Sequence, residues 1–130
     1  MELNGDEHVI LNEDGALGFR RKLTLTDKRL ILQKGHGVFR VTWTIEEEIP
    51  LGEIMEAYAH VESFTSLPIL KLGLKKGGTR NIRLKLSDSQ LVGTMGEDSA
   101  LLMKVKSLTD RWVNAINYQT MRLLQQNVKP

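Results

Sequence analysis

From His8 to Leu86 the apolar residues recur mostly at every second position; from Leu101 onward they recur at every third, fourth or seventh. Period two marks half-buried strands and a period near 3.6 marks an amphipathic helix, so this chain reads as strands first and one helix last. His8-Val-Ile-Leu-Asn forms the first strand and ends at the turn dipeptide Asp14-Gly15. Lys22-Leu-Thr-Leu-Thr turns the leucines to one face and the threonines to the other, and Asp27-Lys28 is a tight turn into Arg29-Leu-Ile-Leu-Gln. Gly35-His36-Gly37 then breaks the chain. Beyond it Phe39, Val41, Trp43 and Ile45 alternate with Arg40, Thr42 and Thr44, which predicts an inward row with Trp43 in the core.

Pro50 and Gly52 punctuate the chain before a fifth strand over 54–62. Pro68 opens a sixth, with Leu70, Leu72 and Leu74 inward, and the glycine pair within 76–80 supplies a hairpin loop. The seventh strand puts Ile82, Leu84 and Leu86 inward. Pairing Leu72 with Leu84 would set both rows on one face and place Lys71 opposite Lys85, with Glu56 and Glu62 beside them. Every link is too short for a crossover helix, so the sheet should be antiparallel. A polar loop over 88–97 leads to Leu101, Val105, Leu108, Trp112, Ile116 and Leu123, the stripe of a helix from about 99 to about 125. Ser107 with Asp110 also fits a capping box, and Leu101, Met103 and Val105 also fit a short strand, so a later start stays open.

With 130 residues the chain reads as one domain, 1–130. It has no cysteine, which excludes disulfides, thiolate catalysis and Cys-ligated metal. No run approaches 18 apolar residues, and the acidic start lacks the layout of a signal peptide, so the expected location is the cytoplasm, peripheral at most to a membrane.

A net charge of +2 conceals a sharp segregation. Residues 19–45 hold Arg20, Arg21, Lys22, Lys28, Arg29, Lys34 and Arg40 against Asp27 alone; residues 67–87 hold Lys71, Lys75, Lys76, Arg80, Arg83 and Lys85 against no acid. Charge concentrated in this way builds a directed field even when the total is near neutral.

Seven antiparallel strands closed by a C-terminal helix are the layout of the pleckstrin-homology (PH) superfold, a β-sandwich or partly open barrel. Leu23-Thr-Leu-Thr-Asp-Lys-Arg-Leu-Ile-Leu32 resembles the hairpin of strands two and three in GRAM and prokaryotic PH-like domains. Ile49-Pro-Leu-Gly-Glu-Ile54 resembles the entry to their next sheet, and Arg111-Trp-Val-Asn-Ala-Ile116 the tryptophan-bearing final helix. The resemblance implies that Trp112 plugs one open end of the sandwich. It also implies a ligand end built from the loops between strands one and two, three and four, and six and seven. Those loops hold Arg20, Arg21 and Lys22; Lys34, His36 and Arg40; and Lys75, Lys76 and Arg80.

Several cations on one rim would attract an anionic phospholipid surface, at about 1 kcal/mol each. Inositide-binding relatives carry a lysine at the end of strand one, where this chain has Asn12, Glu13 and Asp14, a carboxylate pair that would repel a polyphosphate headgroup. The expectation is therefore a generally anionic surface. The alternative is a protein-interaction adaptor: the 23–31 hairpin is also similar to ubiquitin-binding GLUE domains, and PH-like folds take peptides between strand five and the helix. Self-association belongs to the same class, with Met121, Leu124 and Val128 as an apolar patch.

Other chemistry finds little footing. His8, His36 and His60 lack metal-ligand spacing, so no metal is expected. No Walker loop, Gly-x-Ser-x-Gly or Gly-x-Gly-x-x-Gly occurs, so neither catalytic residues nor a cofactor are expected. Nucleic acid ranks last among the ligands, because the basic strands lack interleaved aromatics for stacking. Glu46-Glu47-Glu48 reads as a surface run. Phe19 and Phe64 lie in loops, where a ring can enter a bilayer or pack locally.

Overall fold

Four strands pair in chain order as one antiparallel sheet: β1 (Val9–Asp14), β2 (Arg21–Thr26), β3 (Arg29–His36) and β4 (Thr42–Pro50). A 3-10 turn, Leu51–Glu53, carries the chain to a second antiparallel sheet of β5 (Ile54–His60), β6 (Ile69–Leu74) and β7 (Thr79–Ile82). Helix α1 (Asp98–Asn127) follows without interruption, so the late-start alternative falls away. The computed structural model describes residues 3–14, 17–18, 20–62, 67–86 and 98–127. The expected turn at Gly15, the 88–97 loop, Phe19, Phe64 and Val128 lie outside the described residues. The mainly β architecture with seven strands and one C-terminal helix agrees with the sequence reading.

The period-two rows explain the core. Leu23 pairs with Leu32 and Leu25 with Leu30, and Leu30 also pairs with Ile49, which brings five apolar residues to one face. Leu70 and Leu72 from β6, with Ile82 from β7, face them across the sandwich. Leu108, Trp112 and Ile116, spaced by four along α1, close the assembly. Trp112 has 0% of its surface exposed. Burying each such side chain stabilises by about 1.5–3 kcal/mol, and the ring carries the largest share of that surface.

Three expectations need correction. The row Phe39, Val41, Trp43 and Ile45 does not enter the core. β4 slips by one residue against β3: Leu32 pairs with Glu47 and Gln33 with Ile45, leaving Glu46 as the extra residue of a bulge. A slip of one sends every later side chain to the opposite face. Trp43 and Ile45 therefore lie on the side of Gly35 and Gln33, and Ile49 is the β4 residue that reaches the core.

The β6–β7 hairpin is shorter than expected. Leu72 pairs with Arg80 rather than Leu84, and Lys71 pairs with Asn81 rather than Lys85. Tyr58 sits across from Lys71 on the other side. Finally, β3 runs through Gly35 and His36, so its turn begins only at Gly37.

Candidate functional site

In an antiparallel sheet the β1–β2 loop and the β3–β4 hairpin emerge at the same end, and hydrogen bonds tie them together here. The Gly35 N–H donates to the Arg20 carbonyl at 2.7 Å, and the Arg20 guanidinium donates to the Gly37 carbonyl. Arg20 takes a left-handed backbone conformation, φ 56°, to make both contacts. Gly37, at φ 112°, turns the hairpin where any side chain would collide with the Arg40 carbonyl. Arg21 pairs with Lys34 across β2 and β3, and the Lys22 ammonium lies 4.2 Å over the Trp43 ring. The Trp43 ring is packed against Gly35, where a Cβ would come within 3.3 Å of it. His36 and Thr44 share a hydrogen bond of 2.8 Å on the other face.

Two of the three expected groups thus converge, and they acquire a neighbour that pairing rules did not supply. The Lys85 side chain reaches back to Gly18 in the β1–β2 loop instead of standing opposite Lys71. At the tip of the hairpin Val38 is 83% exposed and Phe39 103% exposed. Lys34 and Arg40 flank them, exposed and without an ion-pair partner among the described residues. Asp14 sits in register with Lys22, a remaining acidic neighbour on this end.

The third group does not join. The Lys75 N–H donates to the Glu53 carbonyl, and the Leu51 N–H donates to the Lys28 carbonyl, which fixes the β6–β7 hairpin at the opposite end of β3. The seven steps of β3 from Arg29 to His36 correspond to about 23 Å, at about 3.3 Å per residue. Two of the three basic residues there have glutamates to hand. Lys76 lies 3.2 Å from Glu53, and Arg80 2.7 Å from Glu47, whose hydrogen-bonded carboxylate raises the guanidinium pKa. Arg21 meets Glu46 at 3.5 Å, an exposed pair that contributes little. The triplet at 46–48 is therefore a set of counterions: Glu48 pairs with Arg29.

Arg29 also belongs to a buried brace that sequence spacing did not reveal. It donates to Glu7 from Nε at 2.9 Å and from Nη2 at 3.1 Å, while the Thr26 hydroxyl donates to the same carboxylate at 2.6 Å. The Arg29 hydrogen bonds, helped by Thr26 and the Asn4 N–H, outweigh burial and hold the Glu7 carboxyl at about 2. Glu7 thereby anchors the segment before β1 across β2 and β3.

Among the described residues no three His, Asp or Glu side chains gather to hold a metal ion, and no helix is long and apolar enough to cross a membrane. Comparison with family models, curated proteins and solved structures returned no significant match.

Proposed function

We propose that the chain is a non-catalytic binding module of the PH/GRAM-like kind, which meets an anionic phospholipid surface with its β3–β4 hairpin. The observation that carries this reading is Phe39: a fully exposed phenylalanine at the tip of a turn, beside exposed Val38 and between Lys34 and Arg40. An apolar tip ringed by cations matches the boundary between headgroups and acyl chains, where the ring leaves water and the cations meet phosphate. Arg20, Arg21, Lys22 and Lys85 add positive charge behind it. Lys75, Lys76 and Arg80 lie at the far end and take no part in this contact.

Co-sedimentation with vesicles of phosphatidylcholine, with and without phosphatidylserine, tests it. Binding should rise with the anionic fraction and fall with salt. Phe39→Asp, or Lys34→Glu with Arg40→Glu, should weaken it by about tenfold or more, while Lys75→Glu with Lys76→Glu should leave it unchanged. No binding to the anionic vesicles, or equal loss in the far-end variant, would overturn the reading.

The adaptor reading draws its support from a different place. The groove between β5 and the helix offers little to a peptide strand, because Asn117 of α1 already takes both backbone polar groups of Ala57. The upper edge of β4, 42–45, carries no such cover among the described residues.

A further inference from the structure

β4 ends its sheet: β3 is its only hydrogen-bonded neighbour among the described residues. Its lower half, below the bulge at Glu46, is closed by Pro50, and Arg80 of the second sheet stands against Glu47. The upper half, 42–45, has no such guard; it is Thr-Trp-Thr-Ile, with both threonines and Ile45 exposed. Unpaired edges rich in β-branched and aromatic residues recruit another strand.

We infer that this edge pairs with the same edge of a second copy, antiparallel and centred on Trp43. A two-fold axis at Trp43 sets Thr42 of one copy against Thr44 of the other, and Val41 against Ile45. It also sets Arg40 against Glu46. The sequence around Trp43 is thus complementary to its own reverse: the apolar pair falls on one face, the hydroxyl pair on the other, and opposite charges close both ends. The occupant is a second copy because 40–46, Arg-Val-Thr-Trp-Thr-Ile-Glu, meets its own reverse with opposite charges at both ends. This inference goes beyond the membrane reading and does not rest on it. One strand pair buries less than a standard interface, so the dimer should be weak and concentration-dependent.

Sedimentation velocity on the full chain over a wide concentration range tests the inference. The unaltered protein should move from monomer to dimer. Arg40→Glu and Glu46→Arg should each weaken the dimer by about tenfold or more, since each places like charges together twice across the axis. An equimolar mixture of those two variants should dimerise again, because every facing pair in the mixed dimer is opposite in charge. Circular dichroism of each variant checks that these exposed substitutions leave the fold intact. A monomer at all concentrations, single variants that dimerise like the parent, or a mixture that stays monomeric would each overturn the inference. The outcome is read without vesicles, so it stands or falls apart from membrane binding.

Discussion

The Asn117 side chain of α1 closes on the backbone of Ala57 in β5 from both sides: its Oδ1 accepts from the Ala57 N–H at 2.7 Å and its Nδ2 donates to the Ala57 carbonyl at 2.8 Å. An amide side chain imitates the next strand of the sheet at this one position. It satisfies the polar groups of a β5 residue that is almost wholly buried, and fixes the helix against the strand.

Replacing Asn117 by Leu should therefore cost more than the loss of one hydrogen bond. Both Ala57 groups would be left unpaired under an apolar side chain, a loss of about 2–4 kcal/mol. Asn117→Asp keeps the acceptor but sets a carboxylate oxygen against the Ala57 carbonyl, and should lie close to the leucine variant. Urea denaturation of the three proteins checks the order.

Acid should unfold the protein partly through Glu7. Its carboxyl titrates at about 2 when folded, against 4.5 as the ordinary value. A lowered carboxylate pKa contributes stability that is complete above the unfolded value and is lost as pH falls from about 4.5 towards about 2. The contribution is on the order of 3 kcal/mol near neutrality. Glu7→Gln should be the less stable protein at pH 7 and should converge with the parent near pH 2, as followed by thermal melts across that range.

Trp112→Ala should cost about 3–5 kcal/mol, since it empties the centre of the core. Trp112→Phe should cost distinctly less. The indole Nε1 has no hydrogen-bond partner among the described residues, so the smaller ring forfeits volume and removes a buried polar group that none of them satisfies. The difference between the two melting temperatures measures this.

Gln33→Met should stabilise the protein. Gln33 is 0% exposed in the middle of β3, yet among the described residues neither its amide nitrogen nor its amide oxygen has a partner. A thioether of similar length removes that penalty and keeps the packing, a gain of about 1 kcal/mol or more in chemical denaturation.

The strands and the helix were legible because each has an apolar side, and the period of that side declares the element. Leu23, Leu25, Leu30, Leu70 and Leu72 all point where alternation sends them. Trp43 and Ile45 do not, because alternation gives a row of side chains but not the face it takes. One extra residue at Glu46 decides that face, and a glutamate run carries no sign of a bulge. The site followed the same logic. Arg20 and Arg21 had to meet Lys34, since consecutive antiparallel strands return to the same end. Nothing in the spacing of Lys75 and Lys76 tells which end their hairpin reaches; the 3-10 turn at Leu51–Glu53 settles it. The Glu7 brace was equally silent, as its partners lie 19 and 22 residues away. Phe39 looked like a core residue because an apolar side chain at a tip and one in a core are the same letter.

The chain has two tryptophans, and the fold gives them opposite surroundings. Trp112 is sealed in the interior, whereas Trp43 lies partly exposed beneath a lysine, four residues from Phe39. Their fluorescence consequently separates into two signals. One is a blue emission that reddens only on unfolding; the other is quenchable, and its colour follows events at the hairpin. With Trp112 exchanged for Phe, the remaining indole becomes an internal optical gauge of what the tip touches, with no label attached.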